Sequence, residues 1–515
     1  MNRKQIKGGI ILSGISQTIS VIVGLTYTPI MIRCLGQTEY GLYQLVLSLV
    51  NYLNLMNFGF NGAYIRYYTI AKEQSEDAVK KINGMFLSVF YFIAFMCIAV
   101  GAFLYQNISL LGKQITGEEY ILAKKLLVIM VLNMAASFPN SLYVAYMSAR
   151  SEFIIQKAAN IVFNILIPLF NLPLLYRGYG SVGIVSVTLA LTIVRLMFNM
   201  IYCHRELNMK IQYLYFDKNI FKSLFGYTFF IFLSDIVDQL NTNVDKFLLG
   251  RILGTVSVAI YSVAFNLKNY YTQLTWIIPE MYIPEINKEV ISEKSDEKVN
   301  KTFIKVGRYN NYIVLLVLSG FILFGQKFIE LWVGNEYATA YYVGVILMLC
   351  GYVPAIQTLG VNIQNAKNMH RMRSIVYFIV ACVNVMISVL LIHKWGVIGT
   401  SLGTLFAVIL GNGVFMNYYY SKYIRLDIRS FWKAMIKWYP CVVSIVLIES
   451  LLLKYIDISS WSKLLLAIAG YTILYVILLL KFELEPDEKK SLLTIAKKFL
   501  IQSESTVYKG LHRVT

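Results

Sequence analysis

Fourteen stretches of about 20 mostly apolar residues follow one another between Gly8 and Leu480, each the length that carries a helix across a hydrocarbon core. They run approximately 8–32, 41–64, 84–107, 121–146, 158–176, 181–202, 225–250, 256–281, 303–325, 339–364, 375–393, 397–420, 436–455 and 462–480. The chain is 57% hydrophobic and 15% charged, with a mean hydropathy of +0.59. A water-soluble core has no use for that much apolar surface, so the pattern predicts an all-α polytopic membrane protein of 14 transmembrane helices.

The chain also repeats. Arg33-Cys34-Leu35-Gly36 and Tyr43 recur as Arg251-Ile252-Leu253-Gly254 and Tyr261; Ala149-Arg150 recurs as Ala366-Lys367; Gly180 and Gly183 recur as Gly396 and Gly399. Pro139 and Pro354 repeat a bend at nearly the same interval. Six spans per copy is an even number, so both copies enter the membrane in the same sense and the repeat is parallel. The expected units are 1–210 (spans one to six), 211–425 (spans seven to twelve), an extra helix pair at 426–481 and a tail at 482–515. Two like halves with a polar seam are the architecture of a transporter.

A net charge of +19 could indicate nucleic acid, but its distribution argues for a membrane surface. With the N-terminus inside, about 34 of the 47 Lys and Arg fall in the N-terminal tail, the loops after even-numbered spans and the C-terminal tail. This bias places both termini in the cytoplasm, against the anionic inner leaflet, and leaves no role for nucleic acid. The tail opens Glu483, Glu485, Pro486, Asp487, Glu488, a helix-start pattern. Its apolar face is expected to lie along the inner membrane surface.

No connection reaches domain size, and Walker, HExxH and GxSxG motifs are absent from the sequence, so the expectation is a non-enzyme with no cofactor. The six cysteines lack metal-site spacing. Transport without an ATP-binding loop would be driven by an ion gradient, the membrane potential or the substrate gradient.

Ionisable residues inside spans cost several kcal/mol unless paired or hydrated, and so mark paths or partners. On the seventh span Asp235, Asp238, Thr242 and Asp245 share one helical face. That stripe is expected to face the cleft between halves, where Asp235, Asp238 and Asp245 would take a coupling H⁺ or Na⁺; alternatively Asp245 and Lys246 form an ion pair that locks the helix end. Lys268 and Arg195, within the eighth and sixth spans, and Arg66, at the end of the second, are the candidates to meet an anionic headgroup, because a phosphate needs such donors. Arg66 could instead snorkel to lipid phosphate, and Arg195 could pair within its own half.

The stretches Pro29 to Gly36, Tyr40-Gly41-Leu42-Tyr43, Gly59 to Arg66-Tyr67-Tyr68, and Asp245-Lys246-Phe247-Leu248-Leu249-Gly250 leading to Ile260-Tyr261-Ser262 together resemble the polysaccharide-biosynthesis flippases. These are the O-antigen and capsule exporters of the multidrug/oligosaccharidyl-lipid/polysaccharide (MOP) superfamily; the last motif there usually has Arg where Lys246 stands. The resemblance spans nearly the whole chain. It implies a V-shaped pair of six-helix bundles around a cationic cavity in the bacterial cytoplasmic membrane. It further implies movement of a polyprenyl-pyrophosphate-linked oligosaccharide from inner to outer leaflet, alongside polysaccharide-assembly enzymes. A cation-coupled exporter of drugs or metabolites, a peptidoglycan-precursor flippase, and a membrane enzyme acting on lipid-linked sugars are the competing readings.

Overall fold

The computed structural model describes residues 3–112, 115, 117–291, 296–367, 369–455 and 458–484. The tail expected to form a surface helix lies outside them from residue 485 onward. The described residues are helical, joined by short turns, and contain no strand. In chain order the helices are α1 (Arg3–Asn51), α2 (Phe60–Gln74), α3 (Glu76–Gln106), α4 (Gly117–Ala149), α5 (Phe153–Tyr176), α6 (Gly180–Arg205), α7 (Lys218–Leu253) and α8 (Thr255–Ile291). They continue with α9 (Asp296–Trp332), α10 (Thr339–Ile356), α11 (Thr358–Ala366), α12 (His370–Val408), α13 (Asn417–Tyr419), α14 (Ile428–Ile436), α15 (Tyr439–Leu452) and α16 (Trp461–Phe482). Wider π-helical turns at 409–416 and 420–424 flank α13.

Among the described residues ten helical stretches are long and apolar enough to cross a membrane, which makes this a multi-pass membrane protein. α7 and α8 fall outside that set because their polar residues dilute them, while α1 and α12 each contain a non-helical residue, Gly36 and Gly396, where two helices meet. Several helices outrun their apolar segments. The connection expected at about 285–302 is mostly helix: α8 continues to Ile291, α9 starts at Asp296, and Lys298 pairs with Glu289 at 3.4 Å. Hydropathy marks where a helix leaves lipid, not where it stops.

Chain reversals at one end of the bundle fall on glycines with positive φ, where a Cβ would strain the backbone. Gly36, Gly112, Gly180, Gly254, Gly334 and Gly396 all take this form. They cluster: a Cβ on Gly112 would lie 3.0 Å from Arg251 Cα, and one on Gly180 2.5 Å from Glu39. Glu39 also accepts from the Ser181 amide and hydroxyl, each at 2.6 Å. The opposite ends are capped by side chains, as where Ser75 accepts from Ala78 N at 3.1 Å and Asp217 from Asn219 N and Ile220 N at 2.8 and 3.1 Å.

α1, α7 and α8 form the seam between the earlier and later helices. At the glycine end, a Cβ on Gly41 would stand 1.9 Å from Thr255 O, Thr255 donates to Glu119 at 2.9 Å, and Arg33 donates to Leu331 O at 2.9 Å. Farther along, Asn51 meets Asn243 at 3.4 Å and Phe58 meets Phe232 with ring centroids 4.6 Å apart. α15 and α16 pack on α9: Trp438 donates to Tyr475 at 2.9 Å, Tyr475 donates to Tyr312 O at 2.9 Å, and Ser319 meets Tyr471 at 2.5 Å.

Candidate functional site: a charged cavity among the later helices

The sequence of α7 alternates two polar faces, and the structure sends them in different directions. Gln239, Asn243 and Lys246 turn toward α1. Asn243 donates to Gln239 at 2.6 Å, and Lys246 donates to Gln44 at 3.2 Å. Gln44 in turn donates to Tyr40, which also accepts from Asn266, both at 3.2 Å. Asp238, Asn241 and Asp245 turn instead toward α8 and α12.

There they meet a cavity of about 300 Å³. α7 contributes Asp238 and Asn241; α8 contributes Tyr261, Phe265, Lys268 and Trp276; α10 contributes Cys350 and Pro354; α12 contributes Arg373, Tyr377 and Thr404. Pro354 lies in the last turn of α10, and the chain resumes as α11 after Gln357. Gln357 lines the cavity and donates to Asn417 at 2.7 Å. The π-helical turn at 409–416 presents Asn412, which donates to Tyr377 at 2.6 Å, a use of irregular helix common at functional sites.

Charge in this cavity is only partly balanced. Lys268 Nζ lies 5.3 Å from the centroid of Phe265 and makes no hydrogen bond or ion pair among the described residues. The Arg373 guanidinium sits 5.0 Å from the Tyr377 ring, and its Nε is buried without a hydrogen-bond partner among the described residues. Among the described residues Asp238 is the one carboxylate in the lining. A second cavity of about 240 Å³ shares Asp238, Arg373 and Tyr377 and adds Ser234 and Ser374, whose hydroxyls are 2.8 Å apart. Two cations, amides, hydroxyls and aromatic faces suit an anion attached to a polar ring: the cations take the charge and the aromatic faces take the ring.

The structure brings together Asp238 and Lys268. Asp245 sits just behind this wall, 1% exposed, accepting from Tyr261 at 2.7 Å and Thr404 at 3.1 Å, with Oδ1 unpaired among the described residues. The expected Asp245–Lys246 ion pair is absent among the described residues, because neighbouring side chains on a helix diverge and these two bond to different helices. Asp238 is exposed to the cavity walled by the later helices, whereas Asp245 is enclosed behind it. Asp235 is half-buried on α7 and outside the lining. Arg195 also lies elsewhere: it donates to Asn160 on α5 and rests 5.7 Å from the Phe163 ring. Arg66 is exposed on α2. Neither arginine lines the cavity with Lys268. Arg373 was not singled out by sequence because it precedes the eleventh apolar run; its signal was Tyr377 one helical turn later.

Residues 30–341, more than half of the chain, match the family described as polysaccharide biosynthesis protein. The chain belongs to that family. The match includes Asp238 and Lys268 and ends before Arg373. Within the family's wider kinship, the chain is 20% identical over 400 residues to a Shigella flexneri protein described as an O-antigen transporter, covering 76% of this chain and 92% of that one. It is 20% identical over 396 residues to the Haloferax volcanii protein described as flippase AglR, covering 76% and 78%. Its fold is similar to that of the lipid II flippase MurJ in an inward closed conformation, with a TM-score of 0.69 and 19% identity over 91% of this chain and 97% of that one. An inward-facing multidrug MATE transporter of the MOP superfamily gives a TM-score of 0.56 and 15% identity over 82% and 96%.

Proposed function

We propose that this chain is a flippase that carries a polyprenyl-pyrophosphate-linked oligosaccharide from the inner to the outer leaflet of the bacterial cytoplasmic membrane. The observation that carries the reading is a membrane-spanning member of a polysaccharide biosynthesis family in which Lys268, without an ion pair among the described residues, lines the same cavity as Arg373. Relatives described as an O-antigen transporter and a flippase support it. A pyrophosphate is recognised by such cations, and Trp276, Tyr261 and Tyr377 offer faces for sugar rings, while the polyprenyl tail stays in lipid. No covalent step is needed, so the chain is read as a transporter and not an enzyme.

In this proposal the chain crosses the membrane fourteen times: α1 and α12 each cross twice, and α7 and α8 cross despite their polarity. The halves are 1–210 and 211–425, followed by the helix pair at 426–481 and a cytoplasmic tail at 482–515. Both termini are cytoplasmic, so the glycine turns face outward. The halves rock about the α1, α7 and α8 seam, driven by H⁺ or Na⁺ at Asp238 or by the membrane potential, which is worth about 2.3 kcal/mol per charge per 100 mV. Polysaccharide-assembly enzymes supply and consume the substrate.

The test is flipping of an undecaprenyl-pyrophosphate oligosaccharide in proteoliposomes under an imposed gradient. Wild type is expected to translocate it and Lys268→Ala to lose that ability. A preparation that moves no lipid-linked sugar, yet exports a cationic drug in a manner dependent on Asp238, would replace this reading with the multidrug one.

A further inference from the structure

A third polar cavity, of about 230 Å³, lies at the ends of the early helices opposite the glycine turns and shares no lining residue with the other two. Four cations converge on it from four elements: Lys72 of α2, Lys80 of α3, Arg150 just past α4, and Lys210 of the connection between α6 and α7. Tyr68 and Tyr146 form its aromatic wall, their rings edge to face at 5.4 Å, and the Arg150 guanidinium lies 6.0 Å from Tyr146.

The wall is fixed in place by the chain that joins the two halves. Gln212 N donates to Lys80 O at 3.0 Å, Asn83 donates to Lys210 O at 2.9 Å, and Asn83 itself accepts from Tyr64 at 2.6 Å. Gly84 lets this strap lie flat, since a Cβ there would come 1.8 Å from Gln212 O. Tyr146 donates to Leu207 O at 3.3 Å, and Asn208 holds a left-handed φ of 51°. The strap therefore presents Lys210 from a rigid backbone.

Two of the cations have carboxylate partners: Lys80 pairs with Asp77 at 2.6 Å, and Lys210 stands 3.9 Å from Glu76. Lys72 and Arg150 have no ion-pair partner among the described residues. The contrast with the repeat-related position is informative. Lys367, the counterpart of Arg150, is consumed by the protein itself, donating to Ile424 O at 2.9 Å and to Asp296 at 3.1 Å. Arg150, with the Tyr68 hydroxyl and the Glu152 carboxylate near its guanidinium, faces an open, concave pocket lined by four cations and the single carboxylate of Glu76 among the described residues, at the edge of the membrane, a setting in which basic pockets hold phosphate headgroups.

We propose that the pocket formed by Lys72, Lys80, Arg150 and Lys210 binds a phosphate-bearing group at the membrane surface. The phosphate belongs either to an anionic lipid headgroup or to a soluble pyrophosphate. The site is separate from the Lys268 cavity and does not depend on what that cavity carries.

Full-length protein in nanodiscs tests both sources. In one arm, discs of phosphatidylcholine are compared with discs doped with phosphatidic acid, and retained phosphatidic acid is read by native mass spectrometry. In the other, inorganic pyrophosphate is titrated into phosphatidylcholine discs. Removing two membrane-surface cations with Lys72→Gln/Arg150→Gln is expected to weaken binding about thirtyfold. Lys72→Arg/Arg150→Lys should restore it. Preferential retention of phosphatidic acid identifies a lipid site, whereas saturable pyrophosphate binding with no lipid preference identifies a soluble one. Lys210→Gln alone provides a reading should the double variant fail to fold. Absence of binding in both arms, or binding insensitive to both sets of substitutions, overturns the proposal.

Discussion

Asp245 and Lys246 are adjacent in sequence and serve different contacts, so substitutions at the two report different things. Asp245 Oδ2 satisfies the hydroxyl of Tyr261, itself 1% exposed. Asp245→Ala should orphan that donor and destabilise the fold by about 1–3 kcal/mol, whereas Asp245→Asn keeps an acceptor and should cost less; thermal unfolding in detergent decides, and equal losses would contradict the hydrogen-bond assignment. Lys268 is the opposite case. With no hydrogen bond to lose among the described residues, Lys268→Ala should leave the unfolding temperature near wild type while flipping is abolished, and Lys268→Arg should retain part of the activity. A large stability loss in Lys268→Ala would mark the lysine as structural. Sequence could identify Asp238 and Lys268 because charges stand out against an apolar run. It could not say that Arg195 turns to Asn160, since burial and facing depend on which helices pack together, and it passed over Arg373 because that residue precedes its apolar run.

At the scale of the helices, the glycines carry most of the readable information. The pairs Gly36 with Gly254 and Gly180 with Gly396, found from sequence spacing, all adopt positive φ at turns on the same end of the bundle. What spacing could not reveal was the close approach at Gly41, inside a helix and against the Thr255 carbonyl. Gly62 provides the comparison, because nothing lies within 4 Å of the Cβ it would carry. Gly62→Ala should be neutral or stabilise by up to about 1 kcal/mol through helix propensity. Gly41→Ala gains the same propensity but must displace backbone, and should destabilise by about 1–3 kcal/mol net. If both variants melt alike, α1 and α8 are not in the contact described. Helix ends were the least legible feature, as at α8 and α9, because charged residues such as Glu289 and Lys298 can continue a helix into water by pairing with one another.

For the whole molecule, the decisive property is that the seam is sealed at the glycine end. Arg33 donates to Leu331 O and Trp332 O at the end of α9, Trp332 donates to Leu25 O at 2.7 Å, Gln37 donates to Glu336 O at 3.3 Å, and Thr255 donates to Glu119, so several polar contacts join early and later helices there. The rocking proposed for the two halves requires this end to part in some step of the cycle, and the contacts are weak enough individually to allow it, since exposed polar pairs contribute little net stability. A covalent bond in the same place would not yield. In a Cys34→Ser background, which removes the exposed native thiol nearby, Gln37→Cys/Glu336→Cys bridged by a bifunctional methanethiosulfonate reagent should arrest flipping and recover on addition of reductant. The single variants treated identically should keep their activity, which separates arrest by the bridge from damage by the reagent. If the bridged double variant flips at the rate of its reduced form, the early and later helices do not separate at the glycine end, and the rocking motion proposed for the two halves must be abandoned.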